Sequence, residues 1–316
     1  MDKIELKTGD CFDGNNGVYK NTQLRICGKN ITIKNVTIEN SDICIYSNYN
    51  CSGLKIIDCT FKSTSNNCVK IIADNLSSVI QGILFDGCSF YFSRMGIELQ
   101  NHKNSEEKIK DVTIKNCTFE GIDDSADYGY GISLSGYGRY TTINDCEFDC
   151  KKGIELVGFS NVIIDNNKIK GKTNSIISSN SRPMDNVYIL NNELRSKLFL
   201  YGLSDSIIKN NNIYCSYVEI KKSSTTTLVD NYIESTGHYS VMLNDASNNI
   251  VRNNTLNQTS KSNWSVIRCY GSNCSNNTIK DNTIKRANKS GKAFDEYDGA
   301  HDNHLITSMR LVINSK

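Results

Sequence analysis

A short motif that recurs along the chain constrains its fold more than any other feature. Each copy is a β-branched strand, then Asn or Asp, then another apolar residue, as in GLKIIDCTF, DVTIKNCTF and NVIIDNNKI. The closing apolar positions are Ile38, Phe61, Phe90, Phe119, Phe148, Ile169, Leu194, Ile213, Ile233, Leu256 and Ile284. Their spacing of 19 to 29 residues is too short for a helical-hairpin repeat and lacks the frame of a leucine-rich repeat. Each copy therefore predicts one coil of a solenoid.

A second register lies two residues before each closing position. It holds cysteine in the first half of the chain and asparagine in the second half. Neighbouring coils of a parallel stack lie about 4.8 Å apart, so like side chains lie over one another and stacked Asn amides can form hydrogen bonds. We therefore predict a stack of thiols followed by an asparagine ladder. The positions are Cys59, Cys88, Cys117, Cys146, Asn167, Asn192, Asn231, Asn254 and Asn282.

The cysteine content supports this interpretation. The chain has 13 cysteines, scattered over its length and never paired as CxxC. Neither a disulfide framework nor a zinc module has that distribution. We predict reduced thiols that serve as small, buried apolar side chains.

A second set of strands recurs in the same rhythm, as in DICIY, CVKII, MGIEL, YGISL and KGIEL. Each coil then carries at least two parallel strands, with no room for helices between them. The predicted fold is all-β, a right-handed parallel β-helix of about eleven coils. We assign residues 1–22 to an N-terminal lead-in or cap, 23–306 to the β-helix and 307–316 to a C-terminal tail.

Charge and the N-terminal sequence limit the partners and the location. The formal net charge is +2, which gives no bias toward nucleic acid or an anionic membrane surface. The N-terminal segment MDKIELKTGD has no basic and apolar signal regions, and no apolar run approaches the length of a membrane span. We therefore expect no nucleic-acid partner, no membrane insertion and no signal peptide.

The coil pattern I-x-N/D-C/N-x-F/I resembles the pectate-lyase-like superfamily of right-handed β-helices. That superfamily includes polysaccharide lyases, uronan epimerases, polygalacturonase-type hydrolases and bacteriophage tailspikes. The resemblance covers about residues 23 to 306 and implies the fold and a polysaccharide partner. Because coil residues are structural, it does not by itself select a reaction.

Outward positions on the second strand set are the first candidates for chemistry. Strand alternation directs Lys70, Glu98, Ser133 and Glu155 outward, with Glu219 further along the chain. If the coils are in register, the backbones of Glu98 and Glu155 lie about 9.6 Å apart. That is near the upper end of the carboxyl separation in inverting glycosidases. Glu98 and Glu155 are therefore candidate catalytic residues, and Lys70 and Ser133 are candidate substrate ligands.

An insertion in the same region, EGIDDSADYGY, is the least coil-like part of the chain. It places carboxylates beside aromatic rings, a combination suited to sugar hydroxyls and pyranose faces. The alternative is an acidic, solvated loop. The candidates here are Asp124 and Asp127 for catalysis, and Tyr128, Tyr130, Tyr137 and Arg139 for substrate binding.

The stretch GYGISLSGYGRYTTINDCEFDCKKGIEL resembles one in β-helical lyases and phage spikes, where Arg-His-Gly precedes the strand. This chain has Lys151, Lys152 and Gly153 instead. In those lyases a basic side chain at such a place removes the proton α to a uronate carboxylate. Lys152 is the corresponding candidate, provided that burial or neighbouring cations lower its pKa.

Two further groups keep two interpretations each. His301 and His304 have a spacing that suits a divalent metal, or they belong to a distorted last coil. Trp264 and Tyr270 form a sugar platform or cover the C-terminal end. We assign no metal ligand and expect no cofactor, with a divalent cation as an unsupported alternative.

The leading hypothesis is a carbohydrate-recognising β-helix of phage tailspike type, on a virion or extracellular surface, that degrades or binds a cell-surface polysaccharide. The resemblance to phage spikes implies a homotrimer or a larger virion assembly. The enzyme alternative is a glycoside hydrolase with Glu98 and Glu155, or a lyase or epimerase with Lys152. A third hypothesis is a structural or adaptor protein of the virion without catalysis.

Overall fold

The computed structural model describes residues 1–103, 106–123, 125, 127–179, 182–288, 290–306 and 310–313, the last range for its backbone alone. All regular secondary structure in these residues is β-strand. The chain forms two compact units. Unit 1 comprises Met1–Ile163 and Asn167–Lys172, and unit 2 comprises Ile164–Asn166 and Thr173–Lys316. Within the described residues, no helix of a length and hydropathy suited to crossing a membrane is found.

The first strands of the chain lie between residues 2 and 165. They are β1 (Asp2–Leu6), β2 (Cys11–Lys20), β3 (Thr22–Ile26), β4 (Thr32–Asn40), β5 (Ile45–Ser47), β6 (Lys55–Ile57), β7 (Thr60–Ser63), β8 (Asn67–Ile72), β9 (Ile80–Asp86), β10 (Ser89–Phe92), β11 (Met95–Asn101), β12 (Ile109–Lys115), β13 (Thr118–Gly121), β14 (Tyr130–Asn144) and β15 (Glu147–Asp165).

The remaining strands continue the same pattern. They are β16 (Lys168–Ser178), β17 (Met184–Asp185), β18 (Val187–Leu190), β19 (Glu193–Leu194), β20 (Lys197–Tyr201), β21 (Leu203–Ser204), β22 (Ile207–Lys209), β23 (Asn212–Cys215), β24 (Val218–Lys221), β25 (Thr227–Val229), β26 (Tyr232–Ser235), β27 (Val241–Asn244), β28 (Ile250–Arg252), β29 (Thr255–Gln258), β30 (Ile267–Tyr270), β31 (Thr278–Lys280), β32 (Thr283–Arg286), β33 (Phe294–Tyr297), β34 (His304–Ile306) and β35 (Arg310–Ile313).

Strands pair in parallel with their counterparts one coil away, which builds ladders in both units, and β17 and β21 pair in a separate two-stranded sheet. In unit 1, ladder A contains β1, β3, β5, β8, β11 and the start of β14; ladder B contains β6, β9, β12 and the end of β14; ladder C contains β7, β10, β13 and the start of β15. In unit 2, ladder D contains β20, β24, β27, β30 and β33, and two further ladders begin at β18 and β19. The prediction of an all-β parallel β-helix is confirmed.

Identical residues stack inside unit 1 as the repeat predicts. Phe61, Phe90, Phe119 and Phe148 are paired in register in ladder C. Their ring centroids lie 5.5, 4.8 and 4.6 Å apart in sequence order, with nearly parallel planes at the last two contacts. All four rings are buried. Burial of such large apolar groups stabilises the solenoid, and their stacking fixes the register of the coils.

The cysteines are free thiols, and eleven of the 13 are buried. Cys11 is exposed and Cys27 is half-buried, so the prediction of buried thiols is wrong for these two. Burial raises the pKa of Cys51 to about 11, because a thiolate is poorly solvated there. The buried thiols are therefore packing groups and weak hydrogen-bond donors, as Cys88 shows with the Ile56 carbonyl at 3.5 Å.

The asparagine ladder is present in unit 2 and includes a residue that was not predicted. Nδ2 of each residue donates to Oδ1 of the next at 2.9–3.0 Å in the series Asn192, Asn211, Asn231, Asn254 and Asn282. Asn211 was not included in the prediction. A second ladder, Asn249 to Asn277 to Asn303, was missed entirely. Left-handed backbone falls on the residue before the ladder position, for example Asp230 with φ 56°.

Candidate functional site

Ladder A carries the outward side chains that the sequence singled out. Lys70, Glu98 and Ser133 are directly paired on β8, β11 and β14. Oγ of Ser133 donates to Oε2 of Glu155 at 2.6 Å, which places Glu155 beside it. We call these four residues the carboxylate face. The predicted order along the solenoid is therefore the observed one.

Glu98 is held by basic and amide donors. Its side chain is 7% exposed, and Oε2 lies 2.9 Å from Nζ of Lys70. The same oxygen accepts a hydrogen bond from Nδ2 of Asn67 at 2.6 Å. The general acid of a glycosidase needs a proton to donate. The ion-paired Glu98 carboxylate does not resemble such a group. The geometry instead fits an ion pair that orders the face.

Tyr130 and Lys152 lie next to Glu155. Nζ of Lys152 is 3.4 Å from Oη of Tyr130 and donates to the backbone carbonyl of Asp127 at 2.9 Å. The Tyr130 side chain is buried. Burial, and after it the charge of Glu155, raises the pKa of Tyr130 well above its usual value. This phenol therefore keeps its proton.

The Lys152 amine meets the condition that the sequence set for it. Burial is the main cause that lowers its pKa, and the neighbouring Lys151 ammonium adds to the effect. The carboxylates of Glu155 and Asp127 act in the opposite direction. Partial desolvation thus favours the neutral amine, the form that accepts a proton. A lysine of lowered pKa and a phenol of raised pKa therefore lie in contact beside Glu155.

Of the two catalytic candidates in the insertion, Asp124 lies outside the described residues. Asp127 contacts Lys152 through its backbone carbonyl, and its charge acts to raise the pKa of Lys152. Tyr128 is 51% exposed, and the Arg94 guanidinium lies 4.6 Å from the centre of its ring. Arg94 was not predicted, because it follows β10 at a corner of the coil where the repeat gives no signal.

Tyr137 and Arg139 do not join the carboxylate face. The chain bends within β14 at Gly136, whose φ of 121° and close approach to the Asn101 carbonyl leave no space for a Cβ. Arg139 is consequently paired with Lys110 on ladder B and forms an ion pair with Glu107 at 2.9 Å. The half-buried Tyr137 sits at the bend itself. The sequence grouped them with the face because it could not locate this corner.

A second polar row runs along ladder A two residues further on. Gln100 pairs with Ser135 and donates to Asp74 at 2.7 Å. Nε2 of His102 lies 2.5 Å from Oγ of Ser135. The alternation of β11 and β14 predicts that Gln100 and Ser135 point outward, so this row was readable from the sequence but was missed.

A cavity of about 430 Å³ lies elsewhere in unit 1, on ladder C. Tyr91, Glu120, Asp149 and Lys170 are among its lining residues. Asp149 and Lys170 form an ion pair at 2.7 Å, and both side chains are more than half exposed. The cavity is thus a surface groove with paired charges, and the carboxylate face is not part of it.

No group of three or more potential metal ligands occurs among the residues that the structure describes. Nδ1 of His301 contacts its neighbour Asp302 at 2.8 Å. His304 is exposed on β34, where it pairs with Thr278. Both histidines therefore lie in the last coil.

Solved structures share this fold at low sequence identity. The A-module of the Azotobacter vinelandii mannuronan C-5 epimerase AlgE4 is 14% identical, with a TM-score of 0.63 over 99% of this chain and 91% of that one. The periplasmic alginate epimerase AlgG is 13% identical, with a TM-score of 0.59 over 99% and 77% of the two chains. The DFA-IIIase of Arthrobacter chlorophenolicus A6 is 12% identical, with a TM-score of 0.56 over 98% and 74%.

No curated protein matches the chain in sequence. The family model of the right-handed β-helix region matches residues 48–197 and 185–308. These matches span most of the chain and agree with the parallel ladders of both units. The chain therefore belongs to the right-handed β-helix family.

Proposed function

We propose that the chain binds an acidic polysaccharide along the carboxylate face and cleaves it by elimination. The observation that carries this proposal is the contact between Lys152 and Tyr130. A lysine of lowered pKa and a buried phenol of raised pKa lie 3.4 Å apart on one side of the face. A base and an acid in one place suit a reaction in which one proton is removed and another is supplied.

The chemistry follows from the acidity of a uronate. The proton on C-5 is α to the carboxylate, and Lys152 takes it. The electron pair of that C–H bond forms the C-4 to C-5 double bond while the bond from C-4 to the glycosidic oxygen breaks. Tyr130 donates its proton to the departing oxygen. The guanidinium of Arg94, whose backbone carbonyl accepts a hydrogen bond from the Tyr130 backbone N–H at 3.1 Å, offsets the charge of the substrate carboxylate.

The relative position of Lys152 and Tyr130 favours elimination over epimerisation. Inversion at C-5 needs a base on one side of the sugar ring and a proton donor on the other side. Lys152 and Tyr130 are in contact, so both approach the ring from the same side. That geometry serves a syn elimination.

The comparisons support a uronate as substrate. Two of the similar structures are named as C-5 or alginate epimerases, and removal of the C-5 proton is the first step that epimerisation and elimination share. The glycoside hydrolase alternative is less well supported, because the Glu98 carboxylate already binds Lys70 and Asn67. Three further points stay predictions: that the protein is of tailspike type, that it is located on a virion or an extracellular surface, and that it forms a homotrimer.

A panel of polyuronates tests the proposal. We expect the chain to generate the ultraviolet absorbance of an unsaturated uronide from at least one of alginate, polygalacturonate and glucuronan. Lys152→Met and Tyr130→Phe should each lower the rate about 10²-fold or more. Lys170→Met is the matched control, because that lysine lies in the groove on ladder C, and it should keep the wild-type rate.

The outcomes separate the reactions. New reducing ends without the absorbance band mean hydrolysis, and loss of that activity in Glu98→Gln or Glu155→Gln would assign it to the carboxylates. Proton exchange at C-5 without cleavage means epimerisation. Absence of both product and binding with every polyuronate in the panel would overturn the proposal and favour an adaptor.

A further inference from the structure

Unit 2 holds a second concentration of aromatic and charged side chains, on the outward side of ladder D. Its centre is Arg268, which pairs with Met242 and Asp295 on the adjacent coils. The Arg268 side chain is buried, with 6% of the residue exposed. Nε and Nη2 donate to the two oxygens of Asp295 at 2.9 and 2.5 Å. Such a bidentate pair fixes the plane of the guanidinium.

Aromatic rings surround that guanidinium at both ends of the strand. Cζ of Arg268 lies 4.3 Å from the ring centre of Trp264, 5.1 Å from Tyr239 and 4.7 Å from Tyr297. Trp264 precedes β30, whereas Tyr297 ends β33. The guanidinium of the buried Arg268–Asp295 ion pair therefore contacts two rings that are partly exposed to solvent. Trp264 is 43% exposed and Tyr297 is 55% exposed.

Each ring is also supported by an aromatic neighbour. Trp264 lies 5.4 Å from His238 and 5.4 Å from Tyr239, and Tyr297 stacks on Tyr270 at 6.0 Å. Rings held by packing lose little conformational entropy when a ligand binds. Exposed aromatic groups of this kind, preorganised beside polar groups, are the features of a ligand site rather than of a solvated surface.

The row continues one coil at a time toward Glu219. Oε2 of Glu219 lies 2.9 Å from Nζ of Lys197, and Oε1 accepts from Asn244 at 3.1 Å. Nζ of Lys197 also donates to Oη of Tyr217, whose ring packs against Tyr239 at 6.0 Å. Polar groups in the middle and aromatic rings at the edge thus extend over several coils of ladder D.

We infer that this surface, which we call the aromatic face, is a binding site for a neutral oligosaccharide. The cations Lys197 and Arg268 are paired with the carboxylates of Glu219 and Asp295 respectively, so these four groups contribute no net charge that would select an anion. A cationic ligand is disfavoured, because Arg268 already occupies the space between the rings. Sugar rings have apolar C–H faces for Trp264 and Tyr297, and hydroxyl groups for the amide and carboxylates.

This inference goes beyond the proposed elimination, which concerns residues of unit 1. Each site can be removed without touching the other, because their residues belong to different units.

Tryptophan fluorescence reports directly on the aromatic face, since Trp264 is the only tryptophan of the chain. We expect a saturable change in emission when the full chain is titrated with at least one of maltohexaose, cellohexaose, xylohexaose and lacto-N-tetraose. Tyr297→Ala should weaken the affinity about tenfold or more. Tyr140→Ala is the matched control, because Tyr140 is a comparably exposed tyrosine, 51%, in unit 1, and it should bind as the wild type does.

Three results would overturn the inference. They are no saturable change with any of these neutral oligosaccharides up to about 10 mM, a change with trigalacturonate or choline alone, and an unaltered affinity in Tyr297→Ala. The Lys152→Met variant keeps the two proposals distinguishable. It should lose elimination and retain the fluorescence titration, so failure of one proposal leaves the other measurable.

Discussion

At the scale of single residues, the surroundings decide what a charged group on an outward strand position can do. Glu98 and Glu155 occupy equivalent positions two coils apart, yet Glu98 is held by Lys70 and Asn67, while Glu155 meets Ser133 and influences Tyr130. Lys70 is engaged in an ion pair, whereas Lys152 contacts a phenol and a carbonyl. The same residue types therefore have different partners, and different pKa shifts, in different coils.

Because the pKa of Lys152 is lowered, we expect the rate of the proposed elimination to depend on pH. The reactive form is the neutral amine, so the rate should rise with pH through the Lys152 pKa and reach its plateau below the pH expected for an ordinary lysine. Lys151→Gln removes a neighbouring cation that lowers this pKa. The pKa of Lys152 should then rise, and the ascending limb of initial rate against pH should move to higher pH.

Lys168→Gln is the control for that shift, since Lys168 is an exposed lysine of ladder C. Its pH profile should coincide with that of the wild type. An unchanged profile in Lys151→Gln, or equal shifts in both variants, would contradict the assignment of Lys152 as the base.

At the scale of the elements, buried amides bind successive coils together. Nδ2 of Asn231 donates to the Ile208 and Val229 carbonyls and to Oδ1 of Asn254. Its Oδ1 accepts from the backbone and side-chain amides of Asn211. A single side chain thus satisfies groups on three coils at a corner where strand ladders are interrupted. Unpaired polar groups at such a place would be costly.

Removal of one rung should consequently be severe. We expect Asn231→Ala to lower the free energy of unfolding by about 3 kcal/mol, because it leaves several buried partners unsatisfied. Asn212→Ala, which alters an exposed asparagine in the adjacent coil, should change it by less than about 0.5 kcal/mol. Urea unfolding followed by circular dichroism gives both values, and equal losses would show that the ladder adds no specific stability.

At the scale of the whole molecule, thiols report on the fold because almost all of them are inside it. Native protein should react rapidly with a thiol reagent at the exposed Cys11 and more slowly at the half-buried Cys27. Burial also raises the pKa of Cys27, which lowers its thiolate fraction. The other eleven thiols should react only on unfolding, and rapid labelling of many cysteines in native protein would contradict the buried thiol stack.

The amino-acid sequence determined the repeat, and through it much of the register. In a parallel stack the same position recurs above itself, so Phe61, Phe90 and Phe119 predict their own contacts and the alternation of each strand predicts which side chains face outward. Lys70, Glu98, Ser133 and Glu155 could be placed in order for this reason. The same argument would have found Gln100, Ser135 and Asn211.

Only the tertiary structure decided what happens at the corners. Loops between strands vary in length, so the positions of Arg94, Arg139 and Trp264 do not follow from a period. Bends such as that at Gly136 and insertions between coils determine which residues these side chains contact. The repeat therefore determines the coil and its inner and outer surfaces, including the rows in which Lys152 lies beside Tyr130 and Arg268 beside Asp295. Contacts across corners add residues without a place in the repeat, such as Arg94 and Trp264, because the lengths of the connecting loops differ from coil to coil.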